Sequence, residues 1–288
     1  MSVFGLLPAA LTLALAVALG LLRPPLHPRW SARLLALVAA TTATAAAGTA
    51  LFIAVNYAAG LDPAAAEWLP EWALFGDDAP VPAWLGVPAA VLTAFNLAAT
   101  ARLAARWRGD VRAARRAAVL DTGDLVAMAV PGRDGGVLVS RGLLTALTPD
   151  QLRVVFEHEA SHLRHRHHRH LAVGALAAAT LPPLRPLNRR LRFAVERWAD
   201  EDAAERLADR ALVARTIAHV ALNRTARPGP LPGFADGPVV ERVRALLADP
   251  PRKNPITGPV ALAGTGVTTS GLASLALQLD QALIFVLH

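Results

Sequence analysis

The chain of 288 residues contains no cysteine. Disulfide bonds and cysteine-ligated metal sites are therefore excluded, so any metal site must be built from histidine and carboxylate side chains. Lysine is almost absent too, since Lys253 is the only one among 29 Lys and Arg residues. The formal net charge of +7 is thus carried by arginines. Because these arginines lie between apolar runs, membrane orientation explains them better than nucleic-acid binding, and no nucleic-acid partner is expected.

Long apolar runs are abundant, with 54% hydrophobic residues and a mean hydropathy of +0.38. Three runs lie near the start of the chain and one near its end: 3–22, 34–58, 83–105 and about 256–279. Each is long enough for a hydrocarbon core of about 30 Å. The sequence therefore predicts a mainly α, integral-membrane protein with about four transmembrane helices.

Basic residues are missing from the segment 59–82, which carries five acidic residues, whereas the segment 23–33 and the residues after 105 are rich in arginine. Positively charged loops stay in the cytoplasm. We therefore expect an external N-terminus and a cytoplasmic face for everything from about residue 106. The abundance of Ala and Arg is typical of a GC-rich bacterial genome, so the predicted location is the bacterial plasma membrane, with several passes and the active site facing the cytoplasm.

Neither glycine nor proline occurs between Pro149 and Gly174, and this stretch contains the pattern H-E-x-x-H, from His158 to His162. Thr148, followed by Pro149 and Gln151, is a strong helix start signal, so the pattern should lie in a helix. Histidines four residues apart share one face and can bind one Zn²⁺, with Glu159 beside the ion as a general base.

A third ligand is expected from the E-x-x-x-D pattern that starts at Glu196. Two histidines and one glutamate leave one coordination position open for water, as in catalytic zinc sites. Asp200 lies one turn further and is suited to hold a ligand imidazole by a hydrogen bond. Glu201 and Glu205 are the alternative ligands.

His168 would be the third ligand of a longer pattern, which needs glycine where His165 stands. With His165 there, the helix should continue and carry His168 about 15 Å along the axis from His158, out of reach of the same ion.

Two strands joined by a Gly-rich turn are predicted over residues 124–140, directly before the histidine helix. The edge of this hairpin could hold an extended peptide, although a plain scaffold role explains it equally well. The apolar segment 171–184 is too short to cross the membrane alone, because crossing would separate Glu196 from the histidines. It should dip in and return, or pack on the protein.

These features divide the chain into three predicted parts. Residues 1–105 hold three N-terminal transmembrane helices. Residues 106–255 form a cytoplasmic, zincin-like α+β catalytic domain with the membrane-dipping segment 171–184. Residues 256–288 hold a C-terminal transmembrane helix.

The segment 165–170, just after the motif, contains four further histidines, at 165, 167, 168 and 170, and two arginines. A basic helix end that meets anionic lipid headgroups is the simpler interpretation. A second metal site, or a metal transporter that uses this helix, stays open as an alternative.

The order of spans, hairpin, H-E-x-x-H, returning apolar segment and E-x-x-A-D resembles the membrane zinc metallopeptidases of the BlaR/MecR antirepressor type. More distantly, it is similar to the HtpX and CAAX-prenyl peptidases. The resemblance extends over most of the chain, and its specific parts are 158–162 and 196–200, with 137–144 in support. It implies that His158, His162 and Glu196 bind zinc and that Glu159 is the general base. The sensor types carry a large external penicillin-binding domain after the last span; none is expected here, so direct β-lactam sensing is not expected.

The predicted function is therefore an integral-membrane zinc endopeptidase, with the lipid bilayer and a protein or peptide substrate as partners. Its substrate would be a cytoplasmic or membrane-proximal protein, and a transcriptional repressor is one candidate. The alternative from another class is a non-catalytic membrane scaffold or signalling subunit with a structural metal site. The sequence does not determine the oligomeric state.

Overall fold

The computed structural model describes residues 7–22, 25–62, 64, 67, 81–115, 120–132, 135–225 and 237–268. Within these residues the protein is mainly helical and has one short antiparallel hairpin. The predicted mainly α fold with a short hairpin is thereby confirmed at this level.

Three helices form the N-terminal part: α1 (Leu7–Leu21), α2 (Pro28–Leu61) and α3 (Ala83–Arg115). Among the described residues, α2 and the part Ala83–Gly109 of α3 are the two helices long and apolar enough to cross a membrane. Helix α1 contributes a shorter apolar stretch, Ala10–Leu21. The last predicted span begins with α10, residues 257–268, and the rest of that span lies outside the described residues.

The helices α2 and α3 are longer than the predicted spans. Helix α2 begins at Pro28, whose fixed φ suits a first helical position, and the His27 imidazole accepts a hydrogen bond from the Arg29 backbone N–H. The prediction of a loop up to residue 33 was therefore wrong. Helix α3 continues to Arg115, because its Ala- and Arg-rich sequence strongly favours helix.

The hairpin consists of β1 (Ala127–Val130) and β2 (Gly136–Val139), with Ala127 opposite Val139. The chain then enters the short helix α4 (Arg141–Ala146), and the Ser140 hydroxyl caps this helix by accepting from the Leu143 N–H. Leu143 lies in an apolar cluster that holds hairpin and helix together, made of Leu125, Val139, Leu143 and Leu147.

The histidine helix α5 (Pro149–Arg164) is followed by α6 (His167–Thr180), a 3-10 turn at Pro182–Leu184 and α7 (Arg185–Leu207). Helices α6 and α7 pack against each other and both contact α2. The segment 171–184 thus returns toward α5 instead of continuing away from it. The prolines explain the turn, because Pro182 and Pro183 cannot donate backbone hydrogen bonds within a continuing helix.

Helices α8 (Arg210–Thr225) and α9 (Gly237–Leu247) complete the part of the fold around α5. Two apolar clusters share helix α7. One joins its first half to the N-terminal helices, through residues that include Ala16, Leu35, Val38, Leu187, Leu191 and Trp198. The other joins its second half to α5, α8 and α9, through Val154, Ala203, Ala204, Val213, Ala214 and Leu246. Helix α7 therefore connects the histidine helix α5 to the N-terminal helices α1 and α2.

Candidate metal centre

Helix α5 begins where the sequence predicts. The Thr148 hydroxyl accepts from the Gln151 backbone N–H at 3.3 Å, and the Gln151 side chain accepts from the Thr148 N–H at 3.0 Å. Two backbone donors that the first turn would leave free are thus satisfied. The predicted capping box is confirmed, and it fixes the register of the histidine motif on the helix.

His158 and His162 lie one above the other on one face of α5. Their Nε2 atoms are 3.2 Å apart, and the side chains are 14% and 12% exposed. Both Nε2 atoms therefore point to one place in a nearly enclosed site.

Glu196 reaches this place from helix α7. Its carboxylate oxygens lie 3.5 Å from His158 Nε2 and 3.7 Å from His162 Nε2. One ligand atom from each of the three residues falls within 4.8 Å of the others. In the part of the chain that the structure describes, this is the one group of three or more such side chains with that spacing.

Asp200 lies one helical turn after Glu196 and is fully buried. Its Oδ1 is 3.1 Å from Nδ1 of His158, the ring nitrogen that faces away from Glu196. The aspartate therefore orients the His158 ring so that Nε2 faces the centre of the site.

Arg242, on helix α9, binds both acids of this pattern. Its Nε and Nη2 donate to the two Asp200 oxygens at 2.8 and 2.7 Å, and its Nη1 lies 3.1 Å from Glu196 Oε2. The planar guanidinium suits such a two-pronged contact. In the sequence, Arg242 only loosely matches an arginine near the end of the related peptidases, and no role was assigned to it, because nothing local to residues 241–244 shows that α9 packs beside α7.

Glu159 lies on α5 beside the three converging side chains and next to strand β1. Burial raises the pKa of its carboxyl, while the charge on His158 and a backbone hydrogen bond from Ala129 act in the opposite direction. A carboxylate with a raised pKa is a better proton acceptor, as a general base requires.

The two histidines differ in their charge in the metal-free protein. Burial opposes the protonation of His158, but hydrogen bonds to Asp200 and Glu196 outweigh it and raise its pKa to about 10. Burial and the charge on His158 lower the pKa of His162 to about 4. Burial would raise the pKa of Glu196, but the His158 hydrogen bond and Arg242 outweigh it, so this pKa lies below its usual range. The metal-free site thus holds one imidazolium opposite an ionised glutamate.

The expectation that helix α5 continues past His165 was wrong. The helix ends at Arg164, and Arg166 adopts a left-handed conformation with φ of 52° before α6 begins at His167. His168 is nevertheless exposed and outside the group of converging side chains. It is therefore still not a ligand, but the reason is its exposed position after the break and not its distance along a continuous helix.

Most of the other histidines do not form an exposed basic helix end, contrary to the simpler interpretation of the sequence. The rings of His165, His167 and His170 surround the buried indole of Trp198, at centroid distances of 4.5, 4.6 and 6.0 Å. His165 also contacts Asp202, with 2.7 Å between Nε2 and Oδ2. A surface role in contact with headgroups thus remains only for His168.

The two alternative ligands are engaged elsewhere. Glu201 is buried between Arg197 and Arg210. Glu205 is 52% exposed and pairs with Lys253 at 3.2 Å. Neither belongs to the converging group, so Glu196 is the acid that the fold brings to the two histidines.

The residues present fit a divalent metal ion. Two neutral imidazoles and a carboxylate form a donor set that zinc accepts, and deprotonation of His158 would complete it. Asp200 provides the hydrogen bond that orients a ligand ring in such sites.

Residues 101–185 match the family model described as peptidase family M48. The matched stretch contains the H-E-x-x-H helix and ends before Glu196 and Arg242. No curated protein and no solved structure matches the chain. The family match supports a metallopeptidase, which is a hydrolase that depends on a metal ion.

Proposed function

We propose that this protein is an integral-membrane, zinc-dependent endopeptidase with Glu159 as its general base. The convergence of His158, His162 and Glu196 from two helices is the observation that carries the proposal. Three protein ligands would leave a bound zinc ion one coordination position for water, and Glu159 lies close to His158 and Glu196.

A bound zinc ion would supply Lewis-acid chemistry, polarising the attacking water and the peptide carbonyl. Glu159 takes up a proton from the attacking water and passes it to the leaving amine. The raised pKa of Glu159 and its place beside β1 suit both transfers. Asp200 and Arg242 hold His158 and Glu196 in place during the reaction.

The outer edge of β1 is proposed to hold the substrate in an extended conformation. The Ser140 N–H donates to the Val126 carbonyl at 2.9 Å, so Val126 faces β2. Along an antiparallel pair, residues whose backbone groups face the partner strand alternate with residues whose backbone groups face away. Because Val126 faces β2, the backbone groups of Ala127 and Ala129 face the outer edge of β1. The hydrogen bond from Ala129 to Glu159 places this edge beside the proposed base, so a paired peptide would lie across the site.

The membrane setting is supported by the apolar surfaces of α2 and α3. Most residues in their apolar stretches are not buried in the protein, as expected for helices that face lipid, including the exposed Leu51, Val91, Phe95 and Leu97. With the arginine distribution described above, the site faces the cytoplasm. The proposed substrate is a cytoplasmic or membrane-proximal protein, and the resemblance to BlaR/MecR-type peptidases makes a transcriptional repressor the first candidate.

The variant E159Q tests this function. Cells that express the full chain or E159Q are compared for new protein N-termini in the membrane and cytoplasmic proteomes. Loss of the general base should reduce cleavage by about 10²–10⁴-fold, while zinc bound by the purified variant is unchanged.

The matched control is E157Q, because Glu157 lies on the same helix but pairs with Arg164 at 3.2 Å. E157Q should cleave like the parent protein. Identical sets of new N-termini in E159Q and the parent would contradict the proposal and favour the scaffold with a structural metal.

A further inference from the structure

His167 lies directly behind one of the proposed metal ligands. Its Nδ1 is 3.0 Å from Nδ1 of His162, and the two rings meet edge to face with 4.8 Å between centroids. The other nitrogen of His162, Nε2, is the atom that faces His158 and Glu196. His167 therefore contacts the His162 ring on the side that faces away from the site. Asp200 contacts the His158 ring in the same way.

Two ring nitrogens at this distance form a hydrogen bond only when one carries a proton and the other offers a lone pair. A neutral imidazole carries a single N–H, so His162 can offer Nε2 to a metal only when its proton is on Nδ1. His162 then donates from Nδ1, and Nδ1 of His167 accepts. The contact thus selects the ring tautomer that a ligand needs.

Packing alone does not explain an imidazole at this position. His167 is 0% exposed, and among the described residues its Nε2 has no hydrogen-bond partner. An apolar side chain would fill the space without leaving a buried polar atom unpaired. A polar ring at this position is therefore best explained by the contact of its other nitrogen, Nδ1, with Nδ1 of His162.

The break between α5 and α6 creates this contact. In a continuous helix, residues five apart point in directions that differ by about 140°, so His167 would face away from His162. The left-handed conformation of Arg166 redirects the chain, and the buried Trp198 ring, 4.6 Å away, supports the His167 ring from another side.

We propose that His167 is a positioning residue of the metal centre, which accepts a hydrogen bond from Nδ1–H of His162 and so holds Nε2 toward the ion. This inference rests on the proposed function, since it has a consequence only where a metal binds at His158, His162 and Glu196.

Zinc affinity of the purified full chain in detergent tests the inference. The metal is removed with a chelator, and Zn²⁺ is returned in competition with a chromophoric chelator. H167L removes the acceptor and should weaken zinc binding by about 10–100-fold, the range for lost partners of metal ligands. H167N should bind within about threefold of the parent, because its amide oxygen can replace the lost acceptor.

The matched control is H170L. His170 also lies beside Trp198, but its ring hydrogen-bonds to the Arg166 backbone and has no contact with His162. H170L should bind zinc like the parent. The absorption spectrum of the Co²⁺-loaded protein should change in H167L and stay the same in H167N and H170L.

Equal losses in H167L and H170L, parent-like affinity in H167L, or an H167N variant as weak as H167L would each overturn the inference. If H167L does not fold, H167F is used in its place, because it keeps an aromatic ring against Trp198. The same loss of zinc affinity is expected for H167F. Failure of the parent chain to bind zinc, or unchanged affinity in H162A, would instead overturn the proposed function itself.

Discussion

Arg242 contacts both acids of the E-x-x-x-D pattern, Glu196 and Asp200, as His158 does from the opposite helix. Asp200 is fully buried and the Arg242 side chain is 15% exposed, so water screens their charges poorly. Removing one partner of a buried ion pair is costly because the other charge is left unpaired. The position of Glu196 and the stability of this region are therefore coupled through one guanidinium.

R242Q should accordingly lower the free energy of unfolding by about 3–5 kcal/mol and weaken zinc binding. R242K should recover only part of both losses, since an ammonium cannot make the two-pronged contact. Chemical unfolding of the detergent-solubilised chain and zinc competition measure the two effects. R244Q, an exposed arginine on the same helix, is the control, and a loss in R242Q no larger than in R244Q would contradict this role.

His158 makes zinc binding depend on pH. Its pKa of about 10 in the metal-free protein means that a proton must leave before zinc can bind at neutral pH. The proton on His158 stabilises the metal-free fold fully below the unfolded-state pKa of about 6.5, and this contribution is lost as pH rises toward 10. Zinc affinity changes in the opposite direction.

Between pH 6.5 and 8.5, the apparent zinc affinity should therefore rise about tenfold for each pH unit. Calorimetry in two buffers with different ionisation enthalpies should show that about one proton is released for each zinc ion. The rise in Tm on adding zinc should be larger at pH 8.5 than at pH 6.5. An affinity independent of pH over this range would show that His158 is already neutral in the metal-free protein.

At the scale of elements, the break between α5 and α6 determines which histidine approaches the site. A non-glycine residue in a left-handed conformation costs about 1–2 kcal/mol, and Arg166 bears this cost. The break also lets α6 pack on α2 and α7.

R166G should therefore leave the free energy of unfolding unchanged or raise it by up to about 1 kcal/mol, because glycine adopts this conformation freely. R153G, at an exposed position inside α5, should lower it by about 1 kcal/mol. Unfolding by urea in detergent compares the two. A loss in R166G as large as that in R153G would indicate that α5 and α6 form one continuous helix.

Local signals account for the parts of the fold that the sequence predicted. The Thr148 cap, the turn of the hairpin and the four-residue spacing of His158 and His162 each act within a few residues. The break at Arg166 was missed because it relieves no local strain: its benefit comes from the packing of α6 against distant helices. The role of Arg242 was not predicted for the same reason, since its partner Asp200 lies 42 residues earlier in the chain.

At the scale of the whole molecule, helix α7 ties the site to the apolar bundle. Its first half packs on α1 and α2 and its second half packs on α5, α8 and α9. In the proposed membrane setting, the candidate spans α2 and α3 determine the side of the membrane on which the site lies. The arginines at the start of α2 and the end of α3 predict that both ends are cytoplasmic.

Absence of cysteine makes this orientation directly testable, because any introduced cysteine is the only thiol in the chain. Glu67 lies in the acidic segment predicted to be external, and Asp121 lies after α3 with a side chain that is 85% exposed. A membrane-impermeant maleimide added to intact cells should label E67C and leave D121C unlabelled until the cells are permeabilised. The reverse pattern would place the proposed peptidase site outside the cell, where it could not reach a cytoplasmic repressor. Labelling of both positions in intact cells would mean that α3 does not cross the membrane, and the packing of α3 on α2 and α6 would then have to be explained as the core of a peripheral protein.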